Sequence, residues 1–282
     1  MSKQTWFRRF ALFFGFAFLY VPILSMVVYS FNNSRLVSVW DSDDSPTLKW
    51  YWALFKNEQI LNAAWLSIQV AATTATLAVV LGTLAGLALS RFGPFRGRTL
   101  LSALTTAPLV MPEVITGISL LLLFLTLERS VDWWPDGRGF FTIVIAHVTF
   151  AMAYVTVVVQ SRLATFDDSL EEAALDLGAR PAKVFFRITL PLILPAILSG
   201  WLLAFTLSWD DVVISQFVAG PGSTTLPMVV FSKVRLGVSP DINALATIMV
   251  TIVGIGVVIS AFYMRRQDRR LALEMKMAKA EK

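Results

Sequence analysis

The sequence predicts an all-α membrane protein with six transmembrane helices. Of its 282 residues, 56% are hydrophobic and only 15% are charged, whereas about a quarter of the residues in an average soluble domain are charged. Its mean hydropathy is +0.67. The apolar residues fall into six runs, each near the roughly 20 residues that cross a bilayer. Short loops join these runs, so we expect residues 1–282 to form a single transmembrane domain.

The first two predicted spans cover residues 10–31 and 63–89. Basic residues precede the first span, as they would a signal peptide. Its apolar run is too long for such a peptide and no cleavage site follows it, so we interpret it as an uncleaved anchor. The second span contains Gly82 and Gly86, and this small-xxx-small spacing favours close approach of another helix.

The third and fourth predicted spans cover residues 100–127 and 140–160. Pro108 and Pro112 interrupt the third, and they should break or kink it because proline removes a helical hydrogen bond. The fourth contains His147, the one histidine of the chain. We expect His147 to be a structural hydrogen-bond partner rather than a proton relay.

The last two predicted spans cover residues 192–209 and 244–264. The segment between them contains two apolar stretches, 212–218 and 226–234, each too short to cross a membrane. We expect them to form a dipping or lid-like segment that packs on the other spans, since irregular backbone at membrane depth must be covered by protein.

Positive charge predicts the orientation of the spans. If both termini are cytoplasmic, 17 of the 24 lysines and arginines lie on that side, in agreement with the positive-inside rule. The loop 161–191 and the tail 265–282 are then cytoplasmic, and the tail has the pattern of a short surface helix. The net charge of +5 is explained by these segments without a nucleic-acid partner.

Composition also excludes several kinds of site. The chain has no cysteine and one histidine, which excludes disulfides, iron–sulfur clusters, and zinc sites built from cysteines or several histidines. The P-loop pattern and the serine-hydrolase pattern G-x-S-x-G are both missing. We therefore expect no catalytic residue, no metal site and no cofactor in this chain.

The loop 161–191 predicts two short helices and a tight turn. Ser169 and Glu172 form a capping-box pattern at the start of the first helix. Gly178 suits the position just after its end, and Pro181 suits the first turn of the second helix. From these residues alone, an amphipathic loop lying on the bilayer, or packed within its own chain, remains an equal alternative.

Spacing within this loop resembles a known motif. Glu172-Ala173-Ala174, then Gly178, then Ile188-x-Leu190-Pro191 is similar to the EAA motif of permease subunits of binding-protein-dependent ABC importers. The resemblance implies a type I importer permease (MetI-like) fold with a core at 60–264. It makes 161–191 a coupling loop that docks on an ATPase through Glu171, Glu172, Ala173, Ala174, Gly178, Ile188, Leu190 and Pro191.

The same resemblance implies the partners. These are a paralogous permease subunit that completes a heterodimer, two cytoplasmic ATPase subunits that bind ATP and Mg²⁺, and a periplasmic binding protein. The chain itself would be a multi-pass transport subunit of the bacterial inner membrane and not an enzyme.

Acidic residues near the spans are candidates for a substrate path, because ionisable groups at membrane depth are expensive to keep. Glu113 follows the proline-interrupted stretch, and Asp210 and Asp211 end the fifth span. Trp209 could offer a cation–π face, and Tyr154 could either pack or face the path. The alternatives are solvation of a helix end for the two aspartates, and an internal hydrogen bond or a pair with the partner subunit for Glu113.

Four longer stretches, 107–117, 146–150, 202–211 and 220–227, resemble the permeases of bacterial putrescine and spermidine importers, most of all the second permease subunit of the putrescine systems. This implies a polyamine substrate and leaves putrescine or spermidine open. The competing interpretations are a related permease for another solute and an ion-coupled secondary transporter, which would need no ATPase-docking loop and often has inverted repeats.

Overall fold

The computed structural model describes residues 3–34, 39–237 and 240–255, together with Val258 and Phe262. Internal contacts divide the chain into two units, one of residues 59–231 and one that combines residues 1–58 with 232–282. The prediction that residues 1–282 form one permease domain stays a prediction.

Twelve helices occur within the described residues. In chain order they are α1 Lys3–Tyr29, α2 Lys49–Phe55, α3 Glu58–Arg91, α4 Arg98–Val110, α5 Glu113–Ser130, α6 Phe140–Ala164, α7 Ser169–Asp176, α8 Pro181–Val184, α9 Leu190–Trp209, α10 Val213–Val218, α11 Leu226–Leu236 and α12 Pro240–Ile255. A π-helical turn, Phe185–Thr189, makes α8 and α9 one continuous helix.

Four of these helical segments are long and apolar enough to cross a membrane: Trp6–Tyr29, Glu58–Arg91, Phe140–Ala164 and Pro181–Trp209. The pair α4 and α5 adds a fifth if it is counted as one span. The predicted sixth span is represented by α12, which is shorter than a span within the described residues. Most of its remainder and the tail 265–282 lie outside the described residues, so six spans and cytoplasmic termini stay predictions.

The predicted break in the third span is confirmed. Helix α4 ends at Val110, Met111 and Pro112 are extended, and α5 begins at Glu113. The two helix axes differ by 118°. Pro112 has no N–H to continue the α4 ladder, so the chain turns here and sets Glu113 in the first turn of a new helix.

Helix α6 is the centre of the unit 59–231. Its residue Val155 is fully buried between two glycines, Gly82 on α3 and Gly200 on α9. A Cβ at Gly82 would lie 2.7 Å from Val155 Cβ, and one at Gly200 would lie 3.3 Å from Val155 Cγ1. The predicted small-residue contact of α3 is therefore confirmed, with α6 as its partner.

The predicted packing of the two short apolar stretches after α9 on the longer helices is confirmed, and both stretches form short helices. On α10, Ile214 and Val218 are buried in a cluster with residues of α5 and α6 such as Phe124 and Ile143. At the start of α11, the Leu226 amide donates a 2.8 Å hydrogen bond to Ser67 Oγ on α3.

In the other unit, α1 is continued by a loop that returns to α2. The indole of Trp50 donates to the Asn32 carbonyl at 2.7 Å, and the Ser30 and Tyr51 hydroxyls are 2.7 Å apart. None of the most apolar part of α1 is buried within the described residues, which leaves this helix a surface suited to lipid.

The α3–α6 contact yields a stability prediction. Gly82→Ala is expected to destabilise the protein by about 1–3 kcal/mol, the usual range for overpacking, because the new methyl group would meet Val155 and the Met152 carbonyl within 3 Å. Thermal unfolding in detergent measures the effect. Gly15→Ala is the control, since nothing lies within 4 Å of a Cβ there, and an equal loss in both variants would contradict the prediction.

Candidate functional site

A cavity of about 510 Å³ lies where the break between α4 and α5 meets α6 and the end of α9. Its polar lining residues are Glu113, Thr116, Tyr154, Asp210 and Asp211. Neither lysine nor arginine is among the described residues that line it. The three carboxylates that the sequence singled out are therefore brought to one cavity, although Glu113 is about 100 positions from the other two.

Glu113 lies at the N-terminus of α5, with its side chain exposed. A carboxylate in the first turn of a helix is stabilised by the helix dipole. The helix dipole therefore explains why an acid is tolerated at the break. Because the Glu113 side chain is exposed, its carboxylate oxygens remain accessible from the cavity.

Asp210 follows the last residue of α9 and is exposed. The carbonyl end of a helix is its negative end, so an acid here is disfavoured by the helix dipole and a cation is favoured. Asp210 therefore adds to the negative potential of the cavity and does not serve the stability of α9.

Asp211 is held by protein groups. Its carboxylate accepts hydrogen bonds from the amides of Ile214 at 3.3 Å and Ser215 at 2.8 Å, at the start of α10. His147 Nε2 lies 3.1 Å from Asp211 Oδ2. An ionised carboxylate can only accept hydrogen bonds, so the imidazole is the donor in the pair with Asp211.

His147 joins three segments. Its side chain is fully buried, with Nδ1 2.7 Å from Ser208 Oγ on α9 and Nε2 3.1 Å from Ser215 Oγ on α10. The predicted structural hydrogen-bond role of His147 is thus confirmed. The sequence did not indicate its partners, since Ser208, Asp211 and Ser215 are 61 to 68 positions away.

The two aromatic candidates have different surroundings. Tyr154 lies on α6 and lines the cavity. Trp209 stacks on Phe205, with centroids 6.0 Å apart, and Phe205 stacks on Trp201 in the same way at 5.3 Å. Of the described residues, Trp209 is not one that lines this cavity, so a cation–π role for it stays a prediction.

The second candidate region is the coupling loop. Its predicted turn is confirmed: Gly178 has a φ of +78°, its amide donates to the Leu175 carbonyl at 2.8 Å, and the Ala179 amide donates to the Ala174 carbonyl at 3.1 Å. These two bonds form the Schellman motif that ends α7. Pro181 begins α8, as predicted.

The predicted capping box is wrong. Ser169 is the first residue of α7, and no side-chain cap is made at the preceding Asp168, whose carboxylate instead pairs with Arg91. The Ser169 amide donates to Asp167 at 3.1 Å. Hydrogen bonds from the hydroxyl and amide of Ser169 hold the pKa of the Asp167 carboxyl below its usual range.

The residues of the coupling loop divide between two faces. Glu172, Ala173 and Leu177 are exposed, and Leu177 is 89% exposed. Glu171 and Ala174 are partly covered. Farther on, Ile188 lies in the π-helical turn, and Leu190 and Pro191 begin α9.

Sequence reasoning missed two residues here, Arg91 and Thr189. Arg91 forms an ion pair with Asp168 and lies 3.9 Å from Glu171, while the Thr189 hydroxyl donates to Glu171 at 2.5 Å. Neither residue is part of a motif that the sequence analysis recognised. The one available signal was the position of Arg91 near the end of a predicted span.

Three comparisons with known proteins bear on this arrangement. Residues 78–273 match the family described as "Binding-protein-dependent transport system inner membrane component". The chain is 54% identical over 277 residues to the putrescine transport system permease protein PotI of Escherichia coli K12, covering 98% of this chain and 97% of that protein. It is 41% identical to the spermidine/putrescine transport system permease protein PotC of Haemophilus influenzae, covering 93% and 97%.

Solved structures share the fold. A chain of a bacterial ABC transporter involved in the import of the acidic polysaccharide alginate has a TM-score of 0.70 at 17% identity, covering 93% of this chain and 97% of that chain. A chain of the MetNI methionine ABC transporter in inward-facing conformations has a TM-score of 0.58 at 15% identity, covering 74% and 93%.

Proposed function

Because the chain belongs to the family of binding-protein-dependent transport system inner membrane components, we propose that it is the permease subunit that carries putrescine across the bacterial inner membrane. The chain is a transport subunit with the all-helical fold of ABC importer permeases. Its close relatives include putrescine and spermidine permeases, and the choice of putrescine follows the higher of the two identities.

The observation that carries this proposal is the acidic cavity. Glu113, Asp210 and Asp211 line it without a compensating lysine or arginine among the described lining residues. A diamine has two amino groups with pKa values near that of lysine, about 10.4, so both are cationic at neutral pH. Exposed carboxylates at Glu113 and Asp210 suit these two charges, whereas an anionic solute would be repelled.

The coupling loop is the part of this chain through which ATP hydrolysis by partner subunits would drive transport. We assign ATP and Mg²⁺ to two partner ATPase subunits that dock on the exposed face formed by Glu172, Ala173 and Leu177, where apolar and acidic side chains face outward. This chain would form a heterodimer with a paralogous permease. A periplasmic binding protein would deliver the polyamine on the opposite side.

Transport follows alternating access. When the ATPase pair closes on ATP, it draws the two coupling loops together, and the spans rock so that the cavity opens outward. The polyamine then leaves the binding protein and passes Glu113 and Asp210. Hydrolysis returns the spans to the inward-facing arrangement.

Spermidine is the second candidate, since relatives at 41% identity include spermidine/putrescine permeases. Radiolabelled putrescine and spermidine uptake by the reconstituted complex, with its own binding protein, separates the two. Faster putrescine uptake is expected. Uptake of neither amine would overturn the proposed substrate class.

The role of the cavity acids has its own prediction. The double variant Glu113→Gln and Asp210→Asn is expected to lower the maximal uptake rate at least tenfold, because hydrogen bonds to charged groups contribute about 1.5–3 kcal/mol each. The control is Asp132→Asn, an exposed acid that does not line the cavity. An unchanged rate in the double variant would show that the path lies elsewhere.

A further inference from the structure

We propose that Arg91 is a positioning residue that joins the end of α3 to the coupling loop, so that ATPase-driven movement of α7 is passed to α3 as well as to α9. The inference rests on the proposed function of the loop. It concerns the inner face of the loop, whereas the ATPase would dock on the outer face.

Arg91 contacts the coupling loop in three ways. Its Nη1 pairs with the Asp168 carboxylate, and its Nη2 lies 3.9 Å from Glu171 Oε1. The guanidinium also lies over the Phe166 ring, 5.0 Å from the centroid. The last residue of α3 is therefore attached to a segment 75 to 80 positions later, on both sides of the start of α7.

Glu171 extends the connection to a third helix. Its Oε1 accepts a 2.5 Å hydrogen bond from the hydroxyl of Thr189, which is buried in the π-helical turn that leads into α9. The same carboxylate oxygen is the one that faces Arg91. One side chain of α7 therefore connects the cytoplasmic end of α3 with the beginning of α9.

The part of this connection formed by Arg91 and Glu171 is partly buried. The side chains of Arg91 and Glu171 are only 21% and 22% exposed. Among the described residues, Arg91 Nε and Nη2 are buried without a hydrogen-bond partner, so the nearby carboxylates are what compensates the guanidinium charge. The Asp168 side chain is 62% exposed, so its pair with Arg91 adds little to stability. Glu171 is the partly buried acid, and removing Arg91 would leave its charge without a cationic partner.

An arginine is needed for this arrangement. A guanidinium is planar and has five donors, so it can meet two carboxylates while its face lies on an aromatic ring. A lysine has one compact charge and could keep one pair only. We therefore expect Lys at position 91 to preserve part of the function and Ala to lose it.

The consequence is a division of roles within the motif. Glu172 remains available on the exposed face, whereas Glu171 is used inside the subunit. Movement of α7 without α3 would have to separate Arg91 from both acids and from Phe166.

The test measures coupling in the complete reconstituted complex, with its ATPase and binding-protein partners, as putrescine imported per ATP hydrolysed. Arg91→Ala and Arg91→Glu are expected to lower this ratio at least fivefold while the ATPase subunits still co-purify. Arg91→Lys is expected to keep an intermediate ratio. The charge exchange Arg91→Glu with Glu171→Arg restores that one pair but places an acid beside Asp168 and removes the acceptor for Thr189, so it is expected to recover only a small part of the wild-type ratio.

A second measurement follows the movement directly and does not depend on uptake. Since the chain has no cysteine, spin labels can be placed at Ser90→Cys and Asp176→Cys, both exposed positions. With Arg91 present, the distance between the labels should be the same in nucleotide-free and ATP-trapped complexes. With Arg91→Ala it should differ between the two states.

Two results would overturn the inference. One is a wild-type coupling ratio in Arg91→Ala; the other is loss of the ATPase subunits from every Arg91 variant, the exchange included, which would make Arg91 a residue of assembly. Failure of the proposed function is a separate outcome, because the unmodified complex would then import no putrescine.

Discussion

Replacing His147 with Asn is expected to lower putrescine uptake at least tenfold, while replacing it with Gln leaves most of the rate. The two amides are partial substitutes for the two ring nitrogens. The Gln amide reaches the place of Nε2, which donates to Asp211, and the Asn amide reaches the place of Nδ1, which bonds to Ser208. Uptake by the reconstituted complex therefore distinguishes the contact that holds Asp211 from the contact that holds α9.

The reason for a large effect is the burial of the pair. His147 is fully buried and the Asp211 side chain is only 6% exposed. If the donor is removed, Asp211 keeps two backbone amides but loses the imidazole, and a hydrogen bond to a charged group contributes about 1.5–3 kcal/mol. Asp211 would then be held by the two amides alone, and its carboxylate would be less firmly fixed relative to the cavity that it lines.

His147→Leu provides the stability reference. It removes the bonds to Ser208, Asp211 and Ser215 together, so it should have the lowest unfolding temperature of the three variants in detergent. If Asn and Gln lower uptake equally, and in proportion to their loss of thermal stability, the positioning of Asp211 has no specific role.

Local patterns in the sequence predicted local structure well. The break at Pro112 and the end of α7 at Gly178 both depend on the backbone limits of a single residue, which act in any context. The close approach of α3 was also predictable from Gly82, although its partner was not. Hydrophobic length predicted the long spans for the same reason, since bilayer thickness sets it.

The failures all involve a side chain whose partner is distant in the chain. Ser169 and Glu172 have the local pattern of a capping box, but Arg91 pairs with Asp168 and α7 begins one residue earlier than that pattern requires. A pattern of four residues contains no information about a guanidinium 77 positions away. The contacts of Glu171 with Arg91 and Thr189 were missed for the same reason, and its assignment to the ATPase contacts stays a prediction.

The cavity was predicted in part. Glu113, Asp210 and Asp211 were chosen as acids near spans, and all three line it. The sequence could not show that their surroundings differ. The Asp210 side chain is exposed, whereas the Asp211 carboxylate accepts hydrogen bonds from His147 and from the start of α10. That difference arises from the packing of α6 against α9 and α10, which is a tertiary property.

Gly178→Val is expected to reduce both ATPase co-purification and uptake by at least tenfold. The φ of +78° at Gly178 is in the left-handed region, which costs about 1–2 kcal/mol for a residue with a Cβ and more for a β-branched one. Nothing lies within 4 Å of a Cβ built there. The penalty is therefore one of backbone conformation, and the chain relieves it by giving up the turn between α7 and α8.

Loss of that turn would change the angle at which Glu172 and Leu177 meet the ATPase. Gly178→Asn is the matched variant, because asparagine adopts the left-handed region more readily than other residues with a side chain, and it should keep most of the uptake.

Gly137→Val is the control for backbone strain. Gly137 has a φ of +75° with nothing within 4 Å of a Cβ, but it lies outside the coupling loop. If Gly137→Val impairs ATPase binding as strongly as Gly178→Val, the effect is general misfolding; if Gly178→Val binds the ATPase normally, the turn does not set the docking geometry. Since the bonds from Gly178 and Ala179 to Leu175 and Ala174 are made only while position 178 is left-handed, we expect the order Gly, Asn, Ala, Val in both assays.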